Sequence, residues 1–389
     1  MLLWMAPLIA VSMGQQARPQ GAWQRGPAMG GDHFPIAVWL QNPANAERYK
    51  AAGFNLYVGL WKGPTEEQLA TLKRAGMPVI CDQNAVGLAH IEDPIIVGWL
   101  QQDEPDNAQP ITDSATGNQT WGPCVPPQKV VEEYERLHKA DPSRPVLLNL
   151  GQGVINDTWV GRGSGAKLED YETYVNGGDI VSFDVYPIAG LEKPNPVDFM
   201  WYVGAGVGRL VQWTGGKKTI WNCLECTRIS NGQRRATPAQ VRSQAWMGII
   251  HGSRGLVYFV HEFAPRFNEA ALLDDAEMLK AVTELNAEIQ RLAPIINAPD
   301  EKVGVAVVGG ARLDRPPVAA VAKRRGRDLY VFAVGMRNAA TRVVLALPRG
   351  GSQAIAEVMG EGRTIPLQDG RFEDAFEPYA VHLYRIRSR

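Results

Sequence analysis

The chain has 389 residues, of which 45% are apolar and 21% charged, and its formal net charge is −1. This is the composition of an ordinary globular protein with enough apolar residues for a large core. The nearly neutral charge balance gives no electrostatic basis for binding nucleic acid or for attraction to an anionic membrane surface.

The N-terminus begins with an apolar run, Met1 to Met13, that is too short to span a membrane. A polar stretch follows and offers Ala17 as a small residue for cleavage. The pattern predicts a secretory signal peptide within residues 1–20, and hence a secreted or periplasmic protein, although the usual basic residues are missing. The alternatives are a misplaced start codon and a loose apolar tail. No other segment predicts insertion into a membrane.

From residue 34 onward, apolar strand-like runs alternate with helical segments. The predicted strands are Pro35–Leu40, Phe54–Trp61, Met77–Asp82, Ile95–Gln102, Val146–Leu150, Ile180–Tyr186, Thr219–Glu225 and Leu256–His261. Eight strands that alternate with helices over about 260 residues indicate an α/β fold. The specific prediction is a (β/α)8 TIM barrel formed by residues 30–300. A doubly wound sheet is the main rival, but such sheets seldom reach eight units, and no G-x-G-x-x-G motif follows the first strand.

After Pro299 the pattern changes to short strand-like segments divided by Gly, Pro and Asp. These segments are 303–308, 318–322, 328–334, 341–347, 354–359, 362–367 and 379–386. Their spacing predicts an antiparallel β-sandwich domain over residues 301–389. The basic cluster from Lys323 to Arg327 precedes a strand-like run, so we interpret it as a solvated hairpin turn.

Two carboxylates and a proline, Asp103, Glu104 and Pro105, end the fourth predicted strand. The apolar run before them is typical of a strand buried on both faces of a parallel sheet. Residues at the C-terminal ends of barrel strands converge on one site. The alternative interpretation is an ordinary acidic turn between a strand and a helix.

The other strand ends are rich in amides, carboxylates and aromatic residues and poor in histidine. Besides Asp103, the predicted substrate-binding residues are Trp39, Trp61, Gln83, Asn149, Tyr186, His261 and Glu262. Amides and carboxylates hydrogen-bond hydroxyl groups, and aromatic rings stack on apolar ligand faces, so the set predicts a sugar site. Taken singly, each amide is as well explained as a structural cap of its strand.

Other kinds of hydrolase are disfavoured by the same strand ends. The chain has six histidines and no H-x-H motif, whereas metal-dependent barrel hydrolases need several imidazoles. No G-x-S-x-G motif supports a serine esterase. We therefore predict neither a metal site nor a cofactor.

Glu225 is the second distinctive carboxylate, because it ends an otherwise apolar strand. Strand parity puts Trp221, Cys223 and Glu225 on one face. Strands four and seven lie across the barrel from each other, so Glu104 and Glu225 are expected to face each other. Retaining glycosidases need carboxyl groups about 5 Å apart and inverting ones roughly 6.5–9.5 Å. The structural alternative is a salt bridge between Glu225 and a base such as Arg228.

Three stretches carry a resemblance to the clan A glycoside hydrolases, which are (β/α)8 barrels. They are 98–105 (GWLQQDEP), 218–225 (KTIWNCLE) and 182–187 (SFDVYP). The resemblance covers roughly residues 30–300, and a trailing β-domain is common in that clan. The motifs are short, so the resemblance supports the clan without naming a family within it.

The resemblance implies that Glu104 is the acid/base, that Glu225 is the nucleophile and that Tyr186 hydrogen-bonds Glu225. It further implies a retaining double displacement, in which Glu225 forms a glycosyl-enzyme and Glu104 activates the water that hydrolyses it. One residue departs from the clan's pattern. Asp103 stands where the clan usually has an asparagine that contacts the substrate 2-hydroxyl, which puts that contact in doubt.

The sequence thus predicts a retaining glycoside hydrolase whose partner is an oligo- or polysaccharide. Two other readings stay open. One is an inverting hydrolase that uses Glu104 with Asp103, Asp184 or Glu262, and the other is a carbohydrate-binding barrel without catalytic activity. The sugar, the linkage and the oligomeric state are not predicted.

The four cysteines permit three pairings if oxidised. Cys223 and Cys226 have C-x-x-C spacing, but three-residue spacing on a strand sends the side chains to opposite faces. This spacing therefore disfavours a zinc knuckle or a thioredoxin-type site. A disulfide between Cys124 and Cys226 would require their loops to meet at the barrel mouth.

Overall fold

A computed structural model provides the fold of this chain. It describes residues 23–114, 117–159, 167–308, 316–347 and 354–387. The predicted signal peptide lies outside these residues. In the ranges that are described, no helix combines the length and the apolar character needed to cross a membrane.

Eight parallel strands form a closed barrel, as the sequence predicted. They are β1 (Ile36–Trp39), β2 (Leu56–Val58), β3 (Val79–Cys81), β4 (Ile96–Leu100), β5 (Val146–Leu150), β6 (Ile180–Phe183), β7 (Thr219–Ile220 and Asn222–Glu225) and β8 (Leu256–Phe259). Each strand pairs with its neighbours in chain order, and β1 pairs with β8, which closes the barrel. The TIM-barrel prediction is confirmed.

Helices connect these strands and cover the barrel. They are α1 (Ala46–Ala51), α2 (Glu66–Ala75), α3 (Ala85–Ala89), α4 (Pro127–Ala140), α5 (Tyr171–Tyr174), α6 (Tyr202–Trp213), α7 (Pro238–His251), α8 (Ala271–Asp274) and α9 (Ala276–Ile296). Short 3-10 helices lie at Pro43–Asn45, Gln152–Val154, Leu168–Asp170, Val175–Gly177 and Pro196–Phe199. The best predicted helix boundaries are those with caps. Thr65 forms a capping box on α2, and Gly76 ends that helix with a φ of 59°.

The barrel strands are buried on both faces, which explains their continuous apolar runs. Inside the barrel, Trp39, Val58, Ile80 and Trp221 belong to one apolar cluster. A larger cluster fills the space between the strands and the helices. Two apolar layers therefore hold each strand in place, so the strand ends are rigid supports for side chains at the barrel mouth.

The C-terminal part forms two antiparallel sheets, which confirms the β-sandwich. Its strands are β9 (Asp300–Glu301), β10 (Gly304–Val307), β11 (Val318–Arg325), β12 (Asp328–Gly335), β13 (Thr341–Ala346), β14 (Ile355–Val358), β15 (Arg363–Pro366), β16 (Arg371–Phe376) and β17 (Val381–Ile386). One sheet has the order β9-β11-β12-β17-β14-β15 and the other β10-β13-β16. The turn between β11 and β12 carries the predicted basic cluster, although Lys323 itself is buried.

The sandwich packs against the barrel through α7. The rings of Trp246 on α7 and Phe332 on β12 have centroids 4.9 Å apart. Ser243 Oγ donates a hydrogen bond of 2.7 Å to the carbonyl oxygen of Tyr379. Alternate residues of β12 face the barrel or the sandwich core, so this strand belongs to both apolar clusters.

Several elements were not predicted. Helix α3 and strands β9 and β16 are additional, and the polar insertion 106–127 contains a hairpin of Pro110–Thr112 and Gln119–Trp121. All four cysteines are free thiols, so the Cys124–Cys226 disulfide is not formed. Cys223 lies inside the barrel and Cys226 in the outer cluster, as their spacing predicted.

A buried ion pair holds the N-terminal ends of β4 and β5 together. Arg144 is 0% exposed, and its Nη1 lies 2.8 Å from Asp141 Oδ2. Arg144 Nε donates to the carbonyl oxygen of Ile96, and Trp99 Nε1 donates to Asp141. Burial acts to raise the pKa of Asp141, but hydrogen bonds from Ser143, Arg144 and Trp99 outweigh it and hold that pKa below its usual value. Both charges are therefore compensated inside the protein.

Replacing Arg144 with leucine should lower the free energy of unfolding by about 3–5 kcal/mol, because Asp141 would be left as an uncompensated buried charge. The measurement is urea unfolding followed by tryptophan fluorescence. The matched control is Arg136→Leu, since Arg136 pairs with Glu133 on the surface. That change should cost less than about 1 kcal/mol. Equal losses in the two variants would contradict the role given to Arg144.

Candidate active site

At the barrel mouth, several loops begin with a residue whose backbone conformation is strained. Leu40, Lys62, Glu104 and Ile229 follow β1, β2, β4 and β7, and all four have a positive φ. Such a conformation is costly for residues that carry a Cβ. Strain of this kind persists only where the surrounding structure enforces it, and it is often found at functional sites.

Glu104 is the one of these four residues that carries a carboxyl group. Its φ is 44°, and its side chain is partly exposed. Its backbone N–H donates to the carbonyl oxygen of Asn149 at 3.0 Å, and its own carbonyl oxygen accepts from the N–H of Asn107 at 3.0 Å. These two bonds fix the turn after β4, so the carboxyl group is directed into the mouth.

Asp184 follows β6 directly, and its carboxyl group lies close to that of Glu104. Burial raises the pKa of Asp184 well above its usual value, and the charge of Glu104 raises it further. Asp184 therefore keeps a proton at a pH where an isolated aspartic acid would be ionised. The sequence had left Asp184 as one of three possible partners for Glu104.

Asp103 adds a third carboxyl group to the same recess. Its side chain is exposed, and Asn149 Nδ2 donates to Asp103 Oδ1 at 3.0 Å. Desolvation by the surrounding protein and the charge of Glu104 raise the pKa of Asp103 to about 7, although the Asn149 bond lowers it. Asp103 and Asn149 are thus in direct contact.

Asp106 was not predicted, and it fixes the turn that carries Glu104. It is 1% exposed. Its carboxylate accepts the backbone N–H of Gly151 at 2.8 Å and the hydroxyl of Tyr171 at 2.7 Å. Burial raises the pKa of Asp106 to about 6, against these two bonds, which lower it. The acidic run that continues past Pro105 was the available sequence signal.

The structure does not bring Glu225 to this group. Glu225 is 0% exposed, and its carboxylate accepts backbone N–H groups from Ile188 at 2.9 Å and Ala189 at 2.7 Å. Gln244 Nε2 on α7 donates to it at 2.8 Å. Burial raises the pKa of Glu225 to about 7, although these three donors lower it. Glu225 connects the loop after β6 to α7 and has no open face toward the mouth.

Four predicted aromatic residues lie at or beside the mouth. Trp39 is 7% exposed inside the barrel, whereas Trp61 is 67% exposed on the loop after β2. His261 is 5% exposed, and its Nε2 lies 3.2 Å from Gln41 Nε2. Burial lowers the pKa of His261, so the imidazole is neutral near neutral pH. The ring of Tyr186 is half-buried, and burial followed by the charge of Asp184 raises the pKa of its hydroxyl.

Gln83 and Glu262 have partners within the protein. Gln83 is buried, and its Nε2 donates to the carbonyl oxygen of Leu137 near the end of α4. Glu262 pairs with Arg228 at 3.0 Å. The base that was considered for Glu225 therefore binds Glu262.

Phe263 and Phe267, on the loop after β8, were also missed. They are 50% and 65% exposed. The signal that could have identified them is two large apolar residues in an otherwise polar loop.

Four carboxyl groups thus lie near one another: Asp103, Glu104, Asp106 and Asp184. Among the residues that the structure describes, no group of three or more His, Cys, Asp or Glu side chains is arranged to hold a metal ion.

The sequence matches no protein-family model and no curated protein. Its fold is similar to that of several solved structures. One is a GH42 β-galactosidase from G. stearothermophilus, with a TM-score of 0.57, 9% identity, and coverage of 94% of this chain and 100% of that one. Another is the α-amylase from Geobacillus thermoleovorans in complex with acarbose, with a TM-score of 0.53, 9% identity, and coverage of 95% and 100%.

The α-L-arabinofuranosidase from Thermotoga maritima is a third, with a TM-score of 0.51, 10% identity, and coverage of 94% and 98%. These three proteins are glycosidases by their descriptions. At such low identities the likeness shows a shared fold, a TIM barrel followed by a β-domain, and it transfers no residue roles.

The strain at Glu104 makes a stability prediction. Glu104→Gly should be more stable than Glu104→Ala by about 1 kcal/mol, because glycine adopts a positive φ without steric cost. Both variants lack the carboxyl group, so the difference between their stabilities reports the backbone strain at position 104. Thermal unfolding of the two proteins measures it. A glycine variant that is no more stable than the alanine variant would show that the backbone is relaxed.

The contacts of Glu225 make a second prediction. Glu225→Gln should lower the free energy of unfolding by about 1–3 kcal/mol, because the new amide group would face a buried N–H donor. The folded variant should keep its turnover number within about tenfold of the wild type. A nucleophile would behave in the opposite way, with a loss of about 10⁴-fold or more in turnover and little change in stability. Unfolding and steady-state kinetics on the same preparation distinguish the two.

Proposed function

We propose that this protein is a glycoside hydrolase that cleaves O-glycosidic bonds of an oligo- or polysaccharide, with Glu104 and Asp184 as its catalytic carboxyl groups. The observation that carries the proposal is the close approach of these two carboxyl groups, which follow β4 and β6 at the mouth of a TIM barrel. Glycosidases need one carboxyl group that donates a proton and a second that stays ionised. A close pair that shares one proton supplies both forms in one place.

In the proposed reaction, Asp184 donates its proton to the glycosidic oxygen, and the leaving group departs as an alcohol. The carboxylate of Glu104 attacks the anomeric carbon and forms a covalent glycosyl-enzyme. Asp184, now ionised, takes a proton from a water molecule, whose oxygen attacks the anomeric carbon and releases Glu104. The raised pKa of Asp184 supports its role as the donor.

The contact between the two carboxyl groups favours retention over inversion. Inverting enzymes hold their carboxyl groups roughly 6.5–9.5 Å apart to leave room for a water molecule, whereas retaining enzymes hold them about 5 Å apart. Asp184 and Glu104 are close enough for the charge of Glu104 to raise the pKa of Asp184, so the pair is nearer to the retaining separation than to the inverting one. The proposed mechanism thus keeps the predicted double displacement but replaces Glu225 with Asp184 and makes Glu104 the nucleophile.

The rest of the mouth supplies contacts for a sugar. Asp103 and Asn149 can accept and donate hydrogen bonds to sugar hydroxyl groups. Ring faces and edges that can pack against a sugar come from Trp39, Trp61, Tyr186 and His261. We propose that the barrel, residues 30–300, carries the activity and that residues 301–389 form an accessory domain. The signal-like N-terminus supports a secreted or periplasmic enzyme, which would meet its polymer outside the cytoplasm.

The test begins with a panel of aryl glycosides and polysaccharides. On the substrate that is cleaved, Glu104→Ala and Asp184→Ala should each lower kcat by about 10³-fold or more, whereas Glu225→Gln should not. Because Asp184 must be protonated, kcat/KM should fall as the pH rises through its raised pKa. Wild-type activity in both alanine variants would refute the proposed pair.

Added azide separates the two roles. Azide takes the place of the missing nucleophile in Glu104→Ala, so the glycosyl azide should have the inverted configuration. Asp184→Ala still forms the glycosyl-enzyme from substrates with a good leaving group, so its azide product should retain the configuration. If instead Glu104→Ala gives the retained azide and Asp184→Ala the inverted one, Asp184 is the nucleophile and Glu104 is the acid/base. Binding without hydrolysis anywhere in the panel would indicate a carbohydrate-binding barrel instead.

A further inference from the structure

The loop after β8 exposes two phenylalanine rings beside the mouth. Phe263 is 50% exposed and Phe267 is 65% exposed. Their ring centroids are 5.7 Å apart with an interplanar angle of 30°. A phenylalanine ring has no polar group that gains from contact with water. Two such rings side by side therefore form an apolar surface, which we term the phenylalanine platform.

Hydrogen bonds hold this loop open instead of letting its rings collapse onto the protein. Glu262 and Asn268 close the base of the loop with two backbone hydrogen bonds of 2.9 and 2.8 Å. The N–H of Phe263 donates to the carbonyl oxygen of Ile229 on the loop after β7 at 2.6 Å. The ion pair between Arg228 and Glu262 joins the same two loops. The platform is thus preorganised, so a ligand would not have to order it.

The phenylalanine platform is continuous with the proposed catalytic pair. Tyr186, two residues after Asp184, has its ring centroid 5.3 Å from that of Phe259. Phe259 lies 6.1 Å from Phe263, and the ring of His261 lies parallel to that of Phe263 at 6.2 Å. A row of rings therefore runs from the carboxyl pair to solvent, and each step is comparable in length to one sugar unit.

We infer that the phenylalanine platform is a distal subsite that binds a sugar residue of the same substrate chain, beyond the bond that is cleaved. The C–H faces of a pyranose are apolar and flat, so they match exposed ring faces, whereas the hydroxyl groups at the rim of the sugar remain in water. This inference rests on the proposed function and specifies its substrate class. On this inference the enzyme prefers chains that are long enough to contact both the catalytic pair and Phe267.

The experiment measures kcat/KM for an oligosaccharide series of increasing length. In the wild type, kcat/KM should rise with length until the platform is filled. The double variant Phe263→Ala/Phe267→Ala should lose about tenfold per ring on the long members, mostly as an increase in KM, and the loss should shrink as the chain shortens. Phe267→Trp should keep the length effect and Phe267→Leu should reduce it by the roughly tenfold expected for one ring, because leucine is apolar but has no ring face.

The control variant is Ile355→Ala on the sandwich, since Ile355 is similarly exposed at 52%. It should leave the length series unchanged. The inference is overturned if the platform variants lose the same factor at every length, or if they lose none. It is also overturned if they weaken only glycosides with bulky apolar leaving groups, which would make the platform a site for a non-sugar group.

Binding to the Glu104→Gln variant separates this inference from the proposed function. Calorimetry with the same oligosaccharides should show affinity that rises with length, and the platform substitutions should remove that rise. If the wild type cleaves nothing but this binding pattern holds, the proposed function fails and the subsite stands. If cleavage occurs but affinity does not depend on length, the subsite fails and the proposed function stands.

Discussion

The repulsion among Asp103, Glu104, Asp106 and Asp184 is the constraint on which the rest of the site depends. Like charges in a desolvated recess cannot all ionise at their usual pH. The protein meets this constraint with neutral donors for Asp103 and Asp106, supplied by Asn149, Gly151 and Tyr171. Asp184 lies beside Glu104 instead, and burial and the charge of Glu104 raise the pKa of Asp184 well above its usual value. In the proposed reaction, the proton that Asp184 donates is thus a consequence of crowding the carboxyl groups together.

Burial and hydrogen bonding distinguish Glu225 from the two carboxyl groups of the proposed catalytic pair. Its oxygens accept three donors and have no contact with solvent, whereas Glu104 and Asp184 are partly exposed. A carboxylate already surrounded by donors would have to break those bonds to attack a sugar. The position of Glu225 at a strand end was therefore compatible with both roles, and only its contacts distinguish them.

Much of the fold could be predicted from the sequence because its signals are local. Apolar runs located the eight barrel strands, and the cap residues Thr65 and Gly76 located the ends of α2. Strand β16 was not predicted because Asp374 interrupts the alternation of polar and apolar residues that marks a half-buried strand. Asp374 occupies an inward-facing position, where it pairs with Arg363 on β15. In the site, Asp103, Asn149 and Asp184 were predicted as candidates but Asp106 was not, and the sequence did not choose among the possible partners of Glu104. That choice depends on how loops that are distant in sequence pack against one another at the mouth. The loop after β6, for example, covers Glu225.

The N-terminal end of the barrel contributes to stability, whereas the C-terminal end carries the proposed catalytic site. At the N-terminal end, Arg144 and Asp141 are buried and fully hydrogen-bonded, which locks β4 and β5 in register. At the C-terminal end of the same two strands, Glu104 has a strained backbone and lies among like charges. The strain persists because Glu104 is bonded to Asn149 on β5, whose position the buried ion pair helps to fix. A rigid lower end therefore allows the upper end to hold a reactive arrangement that would relax in a looser barrel.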